Sequence, residues 1–439
     1  MRTRQDDPPP ARTESLRRSS WRALQSPAYR RYFLGQSLSL LGTWIQQVAL
    51  GWLVYRLTDS TALLGGVAFL SQAPQLLLAP FVGIIIDRAD RKRLMVVIQS
   101  LMLAQAVALA ALTYLDLIQP WVILVAAAVL GVLNSFDAPL RHALAGQLVA
   151  RREDIPNAIA LNALTFNLAR FIGPPLAGLL LGLSSEAFCF AVNGLSFVGV
   201  ILALLSIDSP SERPHAVPFG SALREGFDYV RGSVPVGGLL LQVALLNFLA
   251  ASYLPMMPAF ARDVFNGGPD MLGALLGSAG AGALGASLYL VTRQSVRGLT
   301  GTIASANLLA ACALCGFALT DAAWLACLLL FLLGFGMIAG NASTNTILQT
   351  ILPAGLRGRV LALYTAANLG AAAAGGLVAG WVAERAGPET TLLAAGGLLF
   401  VVALRFRFGL EHLRVHLRPL YAELGITHVT PTMGRKAAS

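Results

Sequence analysis

The chain has 439 residues, of which only 12% are charged, and a mean hydropathy of +0.67. A water-facing domain carries about 25% charged residues, so this composition excludes a soluble surface and points to lipid as the solvent. The net charge of +10 does not imply nucleic acid, because the basic residues are scattered through short segments between apolar runs.

Residues 1–31 are polar and Arg-rich, with no apolar stretch of the kind a cleavable signal needs, so the first membrane run is expected to direct insertion. Twelve runs then reach the roughly 20 apolar residues that span a bilayer as a helix. They cover 32–55, 62–86, 94–115, 120–141, 157–183, 187–206, 237–261, 271–292, 299–319, 323–344, 359–383 and 388–408. They are long and lack strict alternation, which favours helices over a barrel. With the N-terminus in the cytoplasm, the outside loops receive just Arg56, Arg262 and Arg385 of the 32 Lys and Arg, and Arg170 falls within a run. That bias predicts an all-α membrane protein with both chain ends cytoplasmic.

The runs carry polar groups that lipid does not solvate, and each is a candidate for the lining of a binding cavity. Run 1 holds Gln36, Thr43, Gln46 and Gln47, and run 2 holds Gln72 and Gln75 around Pro74. "GIIIDRADRKRL" (83–94) follows, a short charged loop with a carboxylate, Asp87, still attached to the apolar stretch. Gly83 is expected to admit a close helix neighbour. Asp87 is expected to meet the positive N-terminus of run 11, after "LRGRV", where Arg357 and Arg359 stand. Arg91 is expected to bridge to Asp137 at the inner end of run 4, beside Asn134, with Arg88 and Lys92 completing the rim.

Run 5 carries Asn162, Asn167 and Arg170, then Ala169, Gly173, Pro174 and Gly178 among its small residues. Small residues allow close packing, and Pro174 breaks a backbone hydrogen bond. Arg170 stands near mid-run and calls for a cavity, a carboxylate partner or an anionic substrate, unless it snorkels to the inner surface. The loop 207–236 opens with "DSPSERPHAVP" and then places Phe219, Leu223, Phe227 and Val230 at helical spacing. A short helix on the membrane surface and a mobile linker are both compatible with it.

Beyond that loop, run 7 adds Gln242, Asn247 and Tyr253, run 10 Asn341, Asn345 and Gln349, and run 11 Tyr364 and Asn368. Interhelical hydrogen bonds would account for part of this set equally well. Cys312 and Cys315 have CxxC spacing with no second pair nearby, so small packing residues are the better reading for all four cysteines. His412 and His416 lack a third ligand, and no metal or cofactor is expected. The loop divides the chain into bundles at 32–206 and 237–408, flanked by tails at 1–31 and 409–439. Asn134 and Asn341 occupy matching places in the two halves, as pseudo-repeats of a rocking transporter would have them.

Gly83-x-x-x-Asp87-Arg88-x-x-Arg91-Lys92 resembles the loop signature of the major facilitator superfamily, G-x-x-x-D-[RK]-x-G-[RK]-[RK], with Asp90 in place of the usual glycine. The run-5 residues Ala160, Ala169, Gly173, Pro174, Ala177 and Gly178 are similar to that superfamily's exporter motif, with alanine at three glycine positions. "DAPLRHALAGQLVARREDIPNAIALNALTFNLARFIGPPLAG" and "NTILQTILPAGLRGRVLALYTAANLGAAAAGGLVAG" look like the enterobactin-exporter and macrolide-efflux branch.

The resemblance implies twelve helices in two six-helix bundles and an inner latch formed by the 83–92 loop. It also implies a cavity between helices 1, 4, 7 and 10 and export of a small amphipathic molecule, a siderophore or drug. Proton coupling is the family expectation, with Asp137 as the candidate site. No phosphate-binding loop is present to supply another energy source. A monomer in the bacterial plasma or inner membrane is implied. An importer or lipid flippase on the same fold is the alternative. A channel fits the two pseudo-repeats less well, and a membrane enzyme would need a nucleophile, metal set or acid–base pair that the sequence does not offer.

Overall fold

The computed structural model describes residues 21–207, 220–293 and 295–424. The tail residues 1–20 and 425–439, and the linker-like 208–219 with Phe219, lie outside these. Among the described residues there is no strand. Twelve stretches are long and apolar enough to cross a membrane.

The first six are α1 (Pro27–Thr58), α2 (Thr61–Arg88), α3 (Arg91–Tyr114), α4 (Pro120–Leu148), α5 (Ile155–Leu183) and α6 (Glu186–Leu205). A short helix α7 (Gly220–Gly232) follows, then α8 (Val234–Ala250), α9 (Tyr253–Ala259), α10 (Pro269–Thr292), α11 (Leu299–Ala318), α12 (Ala323–Ile351), α13 (Ala354–Ala386), α14 (Pro388–Phe408) and α15 (Leu410–Glu423).

The helix ends follow local chemistry. Pro27 starts α1 inside what the sequence assigns to the tail, because proline suits the first turn of a helix. Asp59 ends α1 in the left-handed region, at φ 50°, and Ser60 caps α2 by accepting from the Leu63 N–H. Asp90, where the signature has glycine, caps α3: its carboxylate accepts the Arg93 N–H at 3.0 Å. The substitution therefore keeps the turn and adds a cap.

Two expectations change. The run at 237–261 is not one helix, since α8 stops at Ala250 and α9 begins at Tyr253. Pro255 and Pro258 have no N–H to donate to the carbonyls four residues earlier, which breaks the ladder there. A π-turn, Phe260–Val264, then ends the span. The segment after 409 is also more than a tail, because Leu410, Leu413 and Leu417 of α15 are buried, and Leu413 and Leu417 pack in the cluster with α8 and α11.

Helix α7 packs on the start of α13, where Glu225 pairs with Arg359 and Gly226 leaves room for the Arg359 backbone. A side chain at Gly226 would come within 3.1 Å of Arg359 Cβ. Phe227 does not join this packing; it is half-exposed beneath Arg231, whose guanidinium lies 4.5 Å from the ring centre. Large apolar side chains cover the outside of the bundle, Val291 at 83% exposure among them, as lipid requires. Cys189 is buried and Cys315 lies against Gly396, so both serve as packing residues. His416 Nδ1 lies 2.9 Å from the His412 carbonyl on α15.

Candidate binding cavity and its two rims

A cavity of about 490 Å³ lies in the middle of the bundle, between α1, α2, α4 and α5 on one side and α9, α10 and α13 on the other. That volume suits a drug-sized molecule. Its wall includes Gln36, Gln46, Gln47, Gln72 and Gln75 from the first two helices, and Asn134, Asp137 and Arg170 from α4 and α5. Trp44 and Phe166 form an edge-to-face pair on the same wall, with ring centres 6.2 Å apart.

The amides differ in availability. Gln46 donates to Gln105 at 3.0 Å and accepts from Asn193 at 2.7 Å, and Gln105 donates on to the Ala126 carbonyl. This chain of bonds links α1, α3, α4 and α6, so Gln46 is occupied by structure. Gln47 is exposed to the cavity, and Gln36 has a buried carbonyl oxygen with no partner. The sequence reading did not single out Gln99, Gln105 or Asn193; glutamines in apolar runs are their visible signal.

Asp137 does not meet Arg91. Its carboxylate accepts from Gln99 Nε2 at 2.7 Å and pairs with Arg141 at 3.1 Å, one helical turn along α4. Run 4 ends at Arg141 in the sequence, but α4 continues to Leu148 and keeps Arg141 largely buried. Spacing of four on a helix explains the pairing: the partner is fixed locally, whereas Arg91 would have to cross from α3. Arg91 is half-buried and its Nε has no partner.

Arg170 faces the cavity and is not snorkelling. Tyr253, at the start of α9, lines the same cavity, close enough for the two groups to interact electrostatically. Ala169 and Ala177 are buried, Gly173 lies against Trp44, and Gly178 lies against the start of α10. A Cβ on Gly178 would stand 2.6 Å from the Pro269 carbonyl, so this motif packs α5 tightly onto α1 and α10.

The other polar candidates, Asn162, Gln242, Gln349 and Tyr364 among them, do not line this cavity. Asn247 and Asn341 exchange reciprocal amide bonds of 3.0 and 3.2 Å between α8 and α12, and Tyr364 donates to the Asn341 carbonyl. Asn345 accepts from Gln349, and Asn167 donates to the Ala163 carbonyl. Asn368 lies beside Tyr364 on α13. Asn167, Asn247, Asn341 and Asn345 thus spend their amides within or between helices, because lipid offers no other partner.

The rim bearing the 83–92 loop is open. An added Cβ at Gly83 would meet nothing within 4 Å, so no helix approaches it. Among the described residues Asp87 has no ion pair and does not meet the start of α13. Arg88 is exposed, Lys92 donates to the Ile207 carbonyl, Arg357 to the nearby Leu352 carbonyl, and Arg359 is held by Glu225. The expected latch between Asp87 and α13 is therefore not made in this conformation.

The far rim is closed, by residues that the sequence reading did not single out apart from placing Arg262 in an outside loop. Tyr55 donates to Asp263, and Arg262 reaches Asp59 while covering the Tyr55 ring at 4.5 Å. Glu384, near the end of α13, accepts from Ser60 Oγ at 3.2 Å and from Thr61 Oγ1 and the Ala62 N–H at 3.1 Å. A carboxylate thus sits on the N-terminus of α2, where unpaired N–H groups and the helix dipole favour it. Glycines let the backbones meet here: a Cβ on Gly65 would stand 2.7 Å from the Gly376 carbonyl.

The family model described as transmembrane secretion effector matches residues 18–420. The staphyloferrin A transporter of Staphylococcus aureus (strain NCTC 8325 / PS 47) is 28% identical over 264 residues, 59% of this chain and 66% of that protein. The enterobactin exporter EntS of Escherichia coli O1:K1 / APEC is 27% identical over 395 residues, 88% of this chain and 93% of its own length. Among solved structures, the nucleoside transporter NupG superposes with a TM-score of 0.64 at 15% identity, covering 87% of this chain and 98% of that one.

Proposed function

Because the chain belongs to the transmembrane secretion effector family of the major facilitator superfamily, we propose that it exports a small amphipathic molecule by alternating access, in exchange for protons. In this reading the segments 32–206 and 237–408 are two bundles that tilt about the central cavity. The basic rim faces the cytoplasm, in line with the charge bias, and the conformation is inward-open.

The observation that carries the reading is the one-sidedness of the ties. Hydrogen bonds join α1 and α2 to the far ends of the seventh and eleventh spans. At the basic rim Gly83 and Asp87 stand without such partners. A cavity shut at one end and bounded at the other by an unused latch suits a carrier that alternates its access. Asp87, Arg91 and the start of α13 would form that latch when the inner mouth closes.

Asp137 is our candidate for proton exchange, since it is the carboxylate on the cavity wall and is held by Arg141 and Gln99. A proton on Asp137 would cancel its attraction to Arg141 and free both groups. The enterobactin and staphyloferrin A relatives support a siderophore-class cargo, and the exporter among them supports outward transport.

The test is accumulation of candidate siderophores and amphipathic drugs in inside-out vesicles with an acidic lumen. Uphill accumulation that a protonophore collapses is the expected result. Flux indifferent to the gradient would indicate a channel, and uptake into right-side-out vesicles would indicate an importer.

A further inference from the structure

The three charged residues on the cavity wall are not balanced alike. Asp137 and Arg141 neutralise each other. Among the described residues Arg170 pairs with no carboxylate, and Tyr253, which lines the same cavity, is neutral and only 1% exposed. A phenol oxygen accepts a hydrogen bond but brings no countercharge. A cation in the middle of an apolar span is costly unless a partner meets it, so this wall has one positive charge left to satisfy. Charge-assisted bonds from an arginine to an anion are roughly twice as strong as those to a neutral acceptor.

Tyr253 is also placed to report such an event. It is the first residue of α9, directly after the break at Ala251 and Ser252. Helix α9 has seven residues, carries Pro255 and Pro258, and runs straight into the π-turn that bears Arg262 and Asp263. One short proline-stiffened segment therefore joins the cavity contact to the far-rim ties with Tyr55 and Asp59.

Resting on the export reading, we infer that Arg170 and Tyr253 mark a subsite for an anionic group of the cargo, of carboxylate type. The anion takes Arg170 away from Tyr253, and the release of α9 loosens the far rim. The cargo thus favours the conformation in which Arg170 is free, which gives it the differential affinity that a conformational change requires. An empty carrier keeps Arg170 on Tyr253 and its far rim shut.

Two fluorescent probes of nearly equal size test this on the full chain in lipid nanodiscs: dansylglycine, an anion, and dansylglycinamide, its neutral counterpart. The anion is expected to bind roughly tenfold more tightly. Arg170→Gln should erase that preference, and Arg170→Lys should keep part of it. Tyr253→Phe should tighten the anion several-fold and leave the neutral probe unchanged, a direction that a merely structural tyrosine would not produce. Equal binding of the two probes, no binding of either, or a preference that survives Arg170→Gln would overturn the subsite.

A second readout places Ala62→Cys at the far rim in a chain whose four cysteines are replaced by serine. Maleimide labelling should rise with dansylglycine and stay constant with dansylglycinamide. Labelling indifferent to bound dansylglycine would overturn the link to the rim. Neither readout needs a gradient or a membrane side. Vesicles that import would therefore defeat the export reading alone, and gradient-driven export with no probe preference would defeat this inference alone.

Discussion

The Glu384 carboxylate accepts the backbone N–H of Ala62 at 3.1 Å, closing the end of α13 over the first turn of α2. Ser60 and Thr61 hydroxyls share the same oxygen. One side chain therefore satisfies an orphan helix donor and bridges the first six spans to the last six. Charges at helix N-termini contribute about 0.3–1 kcal/mol, up to about 2 in partly buried settings. Glu384→Gln keeps the shape and removes the charge. It should shift the population towards an open far rim by roughly three- to tenfold, read as maleimide labelling of Ala62→Cys; unchanged labelling would deny Glu384 a gating role.

The remaining far-rim bonds are unequal. The Asp59 side chain is 71% exposed, so its pair with Arg262 contributes about 1 kcal/mol or less. Tyr55 is buried and donates to Asp263 from the other side of the rim. Asp59→Asn is expected to leave the rim distance distribution nearly unchanged in spin-label measurements. Tyr55→Phe should broaden it, at a cost of about 1–2 kcal/mol for an unmade bond.

Breaking the Asp137–Arg141 pair from one side strands a buried charge. Asp137→Ala should destabilise the protein by about 3–5 kcal/mol, seen as a lower unfolding temperature in detergent. The double substitution Asp137→Asn with Arg141→Gln should recover most of that loss. It should not recover gradient-driven transport if Asp137 exchanges the proton, and recovery of both would remove Asp137 from that role.

Gln46 and Gln47 are chain neighbours with different duties. Gln46→Ala leaves Gln105 and Asn193 without their shared partner and should cost about 2–4 kcal/mol in stability. Gln47→Ala touches no such bond and should change substrate affinity with little effect on unfolding. The reverse pattern in a paired melting and binding experiment would contradict this division.

Gly83 meets nothing in the present conformation, so Gly83→Leu should not lower the thermal stability of this conformation. If the basic rim closes around Gly83 during turnover, the same variant should slow transport by at least roughly tenfold through steric exclusion. Normal turnover would place the closure elsewhere.

Much of the architecture is legible without coordinates. Twelve apolar runs become twelve candidate spans, and of the run-5 motif glycines Gly178 sits at a backbone contact while Gly173 meets the Trp44 side chain. The amides were less legible. Gln36, Gln46, Gln47, Gln72 and Asn134 come together on one cavity wall, but Asn247 and Asn341 take each other as partners away from it. Polarity in an apolar run says that a group needs a partner, not whether the partner is another helix or a ligand. The break before Tyr253 has a visible signal in Pro255 and Pro258, set inside a strongly apolar stretch.

By itself the sequence determined the solvent, the number of spans and the charge asymmetry of the loops. These are sums over neighbouring residues, and hydropathy adds up along the chain whatever the packing. Tertiary structure alone decided which rim is shut, that Asp137 belongs to Arg141, that Arg170 and Tyr253 line one cavity, and that Tyr55 finds Asp263 across 208 positions. Hydrogen bonds and ion pairs act over a few ångströms, so their partners are set by which helices lie side by side, and that order is written in no local stretch of the chain.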